Sequence, residues 1–193
     1  MRGKRLIVLG VTVALLLLVV GSGVQAAHST VRWDIISLNF STRNVTPGGI
    51  ASARANDNSK ITLVGAGTFR IKPGNPQVTG GGRWITFNSA GVETGRGTYE
   101  VTGVVRFDIA PGTPNPLNND RIGNPAEAHA GLLKLTIEFS DGSDGTLTVS
   151  CHLVGTPDSV FEGITVSKGF VDYWNREADA PGVDANRTLF HVS

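Results

Sequence analysis

Three pentapeptides, GAGTF at 65–69, GGGRW at 80–84 and GRGTY at 95–99, constrain this chain more than any other feature. Each reads Gly-x-Gly-x-aromatic, and each starts 15 residues after the one before. A nucleotide-binding glycine loop needs a third glycine and a following helix whose N-terminus receives the phosphates. Neither is present, and the last unit runs on into the β-type sequence TYEVTGVVRF. In a strand, residues i, i+2 and i+4 share a face. Gly65, Gly67 and Phe69 therefore lie together, as do Gly80, Gly82 and Trp84, and Gly95, Gly97 and Tyr99. The connections KPGNPQ and NSAGVE have turn chemistry, which predicts three consecutive antiparallel strands. Pairing Ile71 with Val78 sets Phe69 across from Gly80 and Trp84 across from Gly65. Pairing Phe87 with Thr94 sets Trp84 across from Gly97 and Tyr99 across from Gly82. Each ring then covers a glycine on a neighbouring strand, as curved sheets require of their glycine kinks. The alternative use of the same stripe is a bare backbone floor for a ligand, walled by Phe69, Trp84 and Tyr99. Such a floor suits a sugar or a flat apolar molecule.

The rest of the chain alternates in the same way. In LLKLTIEFS, Leu133, Leu135, Ile137 and Phe139 share one face; in GTLTVSCHL, Leu147, Val149, Cys151 and Leu153 do. DGSDG at 141–145 is a hairpin connection between them; it lacks the ligand series of a calcium loop. Strands are expected near 31–41, 49–56, 60–71, 78–87, 96–109, 132–140, 145–154, 162–173 and 187–192. The long strand after Thr98 is expected to bend at Gly103. Segment 110–131 breaks the pattern with four prolines and four asparagines. Within it, Asn124 is expected to cap a short helix that starts at Pro125 and stops at Gly131. A connection this long suits a lid or binding loop as well as a plain surface excursion. The fold class is all-β, an antiparallel meander β-barrel of about eight strands, with a two-sheet β-sandwich as the alternative.

The N-terminus reads as a secretory signal peptide: basic MRGKR, apolar Leu6 to Val20, then small residues with Val24 and Ala26 at the −3 and −1 positions. The apolar run is shorter than a membrane span. Residues 1–26 are assigned to this signal and 27–193 to a single all-β domain, which implies a secreted or periplasmic protein. Removing 26 of 193 residues leaves 167, and losing Arg2, Lys4 and Arg5 from 17 basic residues leaves 14 against 16 acidic, a net charge of −2. That balance excludes an electrostatic nucleic-acid partner, and no membrane partner is expected once the signal is cleaved. An outer-membrane barrel fits poorly, because polar-faced strands such as LKLTIEFS supply no lipid face. NFS, NVT and NRT at 39, 44 and 186 match glycosylation sequons.

Few side chains suggest chemistry. Cys151 and His152 are adjacent in a strand and point to opposite faces, so they cannot act as nucleophile and base. Cys151 is expected to be an inert buried thiol, and it is the one cysteine, so no intrachain disulfide forms. His28, His129 and His191 show no metal spacing, and neither metal nor cofactor is expected. In ITVSKGFVDYW, Lys168 and Asp172 share a face with Ile164, Val166, Phe170 and Trp174, unless a bulge at Gly169 turns Lys168 outward. Arg32 and Asp34 share a face with Ile36, Leu38 and Phe40. Charges on an apolar face are paired or functional, so these four residues are the candidate catalytic or polar-anchor groups.

The C-terminal run from Ser150 to Val192, SCHLVGTPDSVFEGITVSKGFVDYWNREADAPGVDANRTLFHV, resembles the tail of a group of predicted secreted bacterial β-rich proteins. That group carries no assigned activity, so the resemblance implies export and no chemistry. The glycine–aromatic strands also resemble, at the level of fold, the barrels of plant dirigent and allene oxide cyclase proteins. The resulting expectation is a non-catalytic binder of a small apolar or sugar-like ligand or of a protein partner. The alternatives are an isomerase- or cyclase-type enzyme with an interior acid/base pair, and a structural or interaction module with a filled core.

Overall fold

The computed structural model describes residues 29–71, 77–113 and 119–193. The signal peptide expected at 1–26 lies outside them, as do most of the first hairpin connection and part of segment 110–131. The described chain is all-β. Its strands are β1 (Thr30–Asn39), β2 (Asn44–Pro47), β3 (Ala51–Arg54), β4 (Lys60–Arg70), β5 (Val78–Phe87) and β6 (Glu93–Ala110). Then follow β7 (Asn119–Asp120), β8 (Ala128–Phe139), β9 (Asp144–Cys151), β10 (Gly163–Lys168), β11 (Val171–Tyr173), β12 (Asn175–Arg176) and β13 (Gly182–Val192).

All belong to one sheet whose backbone is the run β4–β5–β6–β8–β9–β10–β11. The ladders are antiparallel except for the short parallel contact of β2 with β7. The N-terminal half of β4 pairs with β3 and its C-terminal half with β1. β1 pairs in turn with β13, which meets the start of β8 at Phe190↔His129 and His191↔Ala128. β6 bends where expected, with register shifts between Val101 and Gly103 and between Val104 and Arg106.

The alternating faces read from β8 and β9 are the core faces. Leu133, Leu135, Ile137, Phe139, Leu147, Val149 and Cys151 are all buried. The short helix expected at 125–131 is a single 3-10 turn, Pro125–Glu127, with the Asn124 side chain accepting Ala126 N–H at 3.1 Å. Its C-terminal end is a correction: the chain turns extended at Ala128, because pairing with β6 and β13 outweighs the local helical preference of AEAHA.

The glycine–aromatic stripe faces the core, with Phe69, Trp84 and Tyr99 buried. The β5–β6 register is the expected one, Gly82↔Tyr99 and Trp84↔Gly97. The β4–β5 register differs by two residues: Phe69 faces Val78, Trp84 faces Leu63, and Gly67 faces Gly80. The covering of Gly67 and Gly80 falls instead to Trp33 of β1, which stands opposite Gly67. A Cβ at Gly67 would lie 2.7 Å from the Trp33 indole nitrogen, one at Gly65 2.0 Å from the Tyr99 hydroxyl, and one at Gly97 2.9 Å from the Trp84 indole nitrogen. No real Cβ approaches so closely. The glycines therefore make room for three flat rings, and those rings close the core. Phe139, Phe107 and Phe190 complete the aromatic packing, with Trp84–Phe139 at 5.8 Å and Phe107–Phe190 at 5.2 Å between centroids.

Candidate functional site

β10 and β11 form a hairpin whose turn is Gly169-Phe170. Gly169 has φ +56°, which a glycine adopts without strain. The turn separates the two charges expected on one face. Lys168 stays with Ile164 and Val166, whereas Asp172 pairs with Ser167 and is exposed. The Lys168 side chain is only 13% exposed, and its ammonium forms an ion pair with Asp141, from the β8–β9 turn. It also donates to Ser143 Oγ at 2.8 Å. Lys168 and Ser143 hold the Asp141 carboxyl down at about 2. The same ammonium sits 4.5 Å from the Trp84 ring centroid and 4.9 Å from that of Phe139. Beside it opens a recess of about 360 Å³, lined also by Thr86, Thr94, Phe170 and Tyr173. Phe170 is fully exposed at 101%. The sequence readings of Trp84 as a binding wall and of Lys168 as a polar anchor thus meet at one recess. Phe69 and Tyr99 do not reach it; both lie in the core.

Arg32 and Asp34 are side by side on β1, on the face turned away from Trp33. Arg32 donates two hydrogen bonds to the Asp34 carboxylate, at 2.7 and 2.8 Å. Asp34 is completely buried, and its carboxylate raises the Arg32 guanidinium above its ordinary value. Arg32 stands directly across from His191, whose Nε2 donates to Asp120 at 2.7 Å. Asp120 also accepts the N–H groups of Ile122 and Gly123, so this cluster ties the β7 segment over β1 and β13. The Arg32–Asp34 pair is closed on itself and offers no free base.

A third cluster was not legible from sequence. Glu162, from the loop before β10, is buried; it accepts the N–H of His152 and that of Thr188, each at 2.6 Å. Burial pushes its carboxyl up to about 7, against the opposing pull of those two N–H groups. His152 Nδ1 lies 2.7 Å from the Val160 carbonyl, which can only accept, so Nδ1 carries the proton and Nε2 the lone pair. Arg187 of β13 pairs with Asp179 and lies 5.0 Å from the Phe40 ring centroid. His152 and Arg187 stand between two clefts, of about 400 and 330 Å³. A separate groove of about 500 Å³ runs along the outer face of β4, β5 and β6.

Cys151 is fully buried, and its burial raises the thiol well above its ordinary value. Among the described residues no group of three or more His, Cys, Asp or Glu is placed to hold a metal. Asn186, of the third sequon, is buried with its carboxamide bonded to Ser52 N–H and Ala178 carbonyl. No protein-family model, no curated protein and no solved structure matches the chain.

Proposed function

We propose that the chain is exported, loses residues 1–26, and forms a closed antiparallel β-barrel that binds a small sugar-like ligand at its mouth without catalysis. The ladder from β1 through β4, β5, β6, β8 and β13 back to β1 supports closure. Trp33, Tyr99, Phe139 and Phe190 occupy the core, which moves ligand space from the interior to the rim.

The observation that carries the reading is the Lys168 ammonium, seated on Trp84 and joined to Asp141, at the edge of a recess walled by a fully exposed Phe170. Phe170 gives the recess an exposed apolar face beside the ion pair. A purely apolar ligand would strip water from Lys168 and Asp141 without replacing it. A polyol replaces that water: its hydroxyls accept from the ammonium and donate to the carboxylate, while its C–H faces pack on Phe170 and Tyr173. The enzyme alternative finds less support, because Lys168 and Asp172 part at the turn and Arg32 and Asp34 satisfy each other.

Isothermal titration with a panel of mono- and disaccharides tests this. Saturable binding is expected, weakened at least tenfold by Lys168→Met and by Phe170→Ala with folding unchanged by circular dichroism. No binding across the panel, or wild-type affinity in both variants, refutes it.

A further inference from the structure

We propose that the outer face of β6 and β8 is a self-complementary surface on which a second copy of this chain docks about a two-fold axis. The surface shares no residue with the recess beside Lys168, and the proposal stands whether or not that recess binds sugars.

On β8 the outward side chains run Lys134, Thr136 and Glu138, alternating with buried Leu133, Leu135 and Ile137. On β6 the matching outward series is Arg106, Thr102 and Glu100. The two register shifts of β6 absorb its extra residues and keep the two series level. Arg106 thus stands across from Lys134, and Glu100 across from Glu138. Between these pairs the Thr102 hydroxyl donates to that of Thr136 at 3.0 Å. Base faces base and acid faces acid, an arrangement that destabilises a sheet. Asp144 of β9 adds a further carboxylate opposite Glu138. Among the described residues Lys134, Glu100, Glu138 and Asp144 make no ion pair, and Arg106 meets only Asp108, at the surface.

A second copy resolves the mismatch. Turned by half a revolution about an axis along the Thr102–Thr136 row, it presents its sheet face to face with the strands reversed. Glu138 of one copy then meets Lys134 of the other, and Glu100 meets Arg106, each contact made twice as two-fold symmetry requires. The threonines are short and bonded to each other, so the faces can approach while the long charged side chains bridge on either side. Asp108 and Asp144 fall at the edge of the patch and stay hydrated. An unrelated partner would have to bring the matching pattern itself. Here the acid row and the base row that fits it lie on one face, about 14 Å apart at strand rise. A patch of that size belongs with small transient interfaces, so the association is weak.

Sedimentation equilibrium of the mature chain at low ionic strength tests this, because salt screens exposed charges. A monomer–dimer equilibrium is expected at submillimolar chain concentration. Glu138→Lys and Lys134→Glu should each weaken it about tenfold or more, since each turns both copies of one exposed ion pair into a repulsion. The same changes relieve the like-charge pairs within the chain, so the urea midpoint of dilute protein should hold or rise. A purely structural role would not move association and stability in opposite directions. Both changes in one chain, or a mixture of the two single variants, place opposite charges across the axis again and should restore the dimer to wild-type strength. The proposal is overturned if the wild type stays monomeric at submillimolar concentration, or if either single reversal dimerises as tightly as the wild type. It is equally overturned if the double variant, folded by circular dichroism, fails to recover the dimer.

Discussion

Replacing Tyr99 by phenylalanine should make the protein more stable, and the reason lies in the glycine rows. Tyr99 is buried, and its hydroxyl has no hydrogen-bond partner among the described residues. Its burial pushes the phenol well above its ordinary value, so it stays neutral at all accessible pH. A buried polar group left without a partner costs about 1–3 kcal/mol. Tyr99→Phe removes that penalty and keeps the ring that covers the glycines, so a gain of about 1 kcal/mol is expected. In a domain of this size that corresponds to a rise in Tm of roughly 2–4 °C. The same hydroxyl forbids a side chain at Gly65, where a Cβ would lie 2.0 Å from the Tyr99 oxygen but 3.0 Å from the ring carbon behind it. Gly65→Ala should therefore cost roughly 1–3 kcal/mol in the native background, as overpacking does. The Gly81 carbonyl, 2.8 Å from that Cβ, leaves part of the cost in any background. In the Tyr99→Phe background the loss should shrink by at least 1 kcal/mol, a coupling read from a double-mutant cycle in urea denaturation. A destabilising Tyr99→Phe, or a cycle additive to within about 0.5 kcal/mol, would refute the interlocking of ring and glycine.

Further outcomes follow from the buried polar clusters. Folded Glu162 keeps its proton to about pH 7, whereas an unfolded glutamate loses it near 4.5, so stability should fall as pH rises between those values and level off above them. The loss is roughly 3 kcal/mol at most, and urea midpoints from pH 4 to 8 should show Glu162→Gln without that slope. Glu162→Ala leaves the His152 and Thr188 N–H groups unpaired and should cost roughly 2–5 kcal/mol by chemical denaturation at constant pH. Arg32→Met strands the completely buried Asp34 carboxylate and should cost about 3 kcal/mol, with most of it recovered by adding Asp34→Leu.

What could be read in advance was whatever depends on period two. The core faces of β8 and β9, the common face of the three glycine units, the β5–β6 register and the bend at Gly103 follow from alternation and from local turns. Contacts between strands distant in sequence were hidden. Trp33 lies more than thirty residues before Gly67, and nothing local shows that β1 will lie beside β4 and lay an indole over the glycine floor. The β4–β5 register slipped by two because both choices keep the stripe on one face, and only the turn geometry separates them. Lys168 and Asp172 were assigned to one face because the strand was read as continuous; the glycine turn between them reverses the chain. Glu162 gave no signal at all, since its partners, His152 and Thr188, come from two other elements. Its burial is visible only once the sheet is assembled.

The central claim is that the aromatic stripe fills the core and that ligand space lies at the mouth beside Lys168. A nitrogen–proton NMR titration with the saccharide that binds best in the panel addresses it directly. The account predicts shifts confined to the Trp84 indole and the amides of Lys168, Gly169, Phe170, Val171 and Tyr173, with the Trp33 indole unmoved. Shifts of the Trp33 indole and the Gly65, Gly67 and Gly80 amides, with the 168–173 hairpin silent, would put the ligand inside the sheet and contradict it.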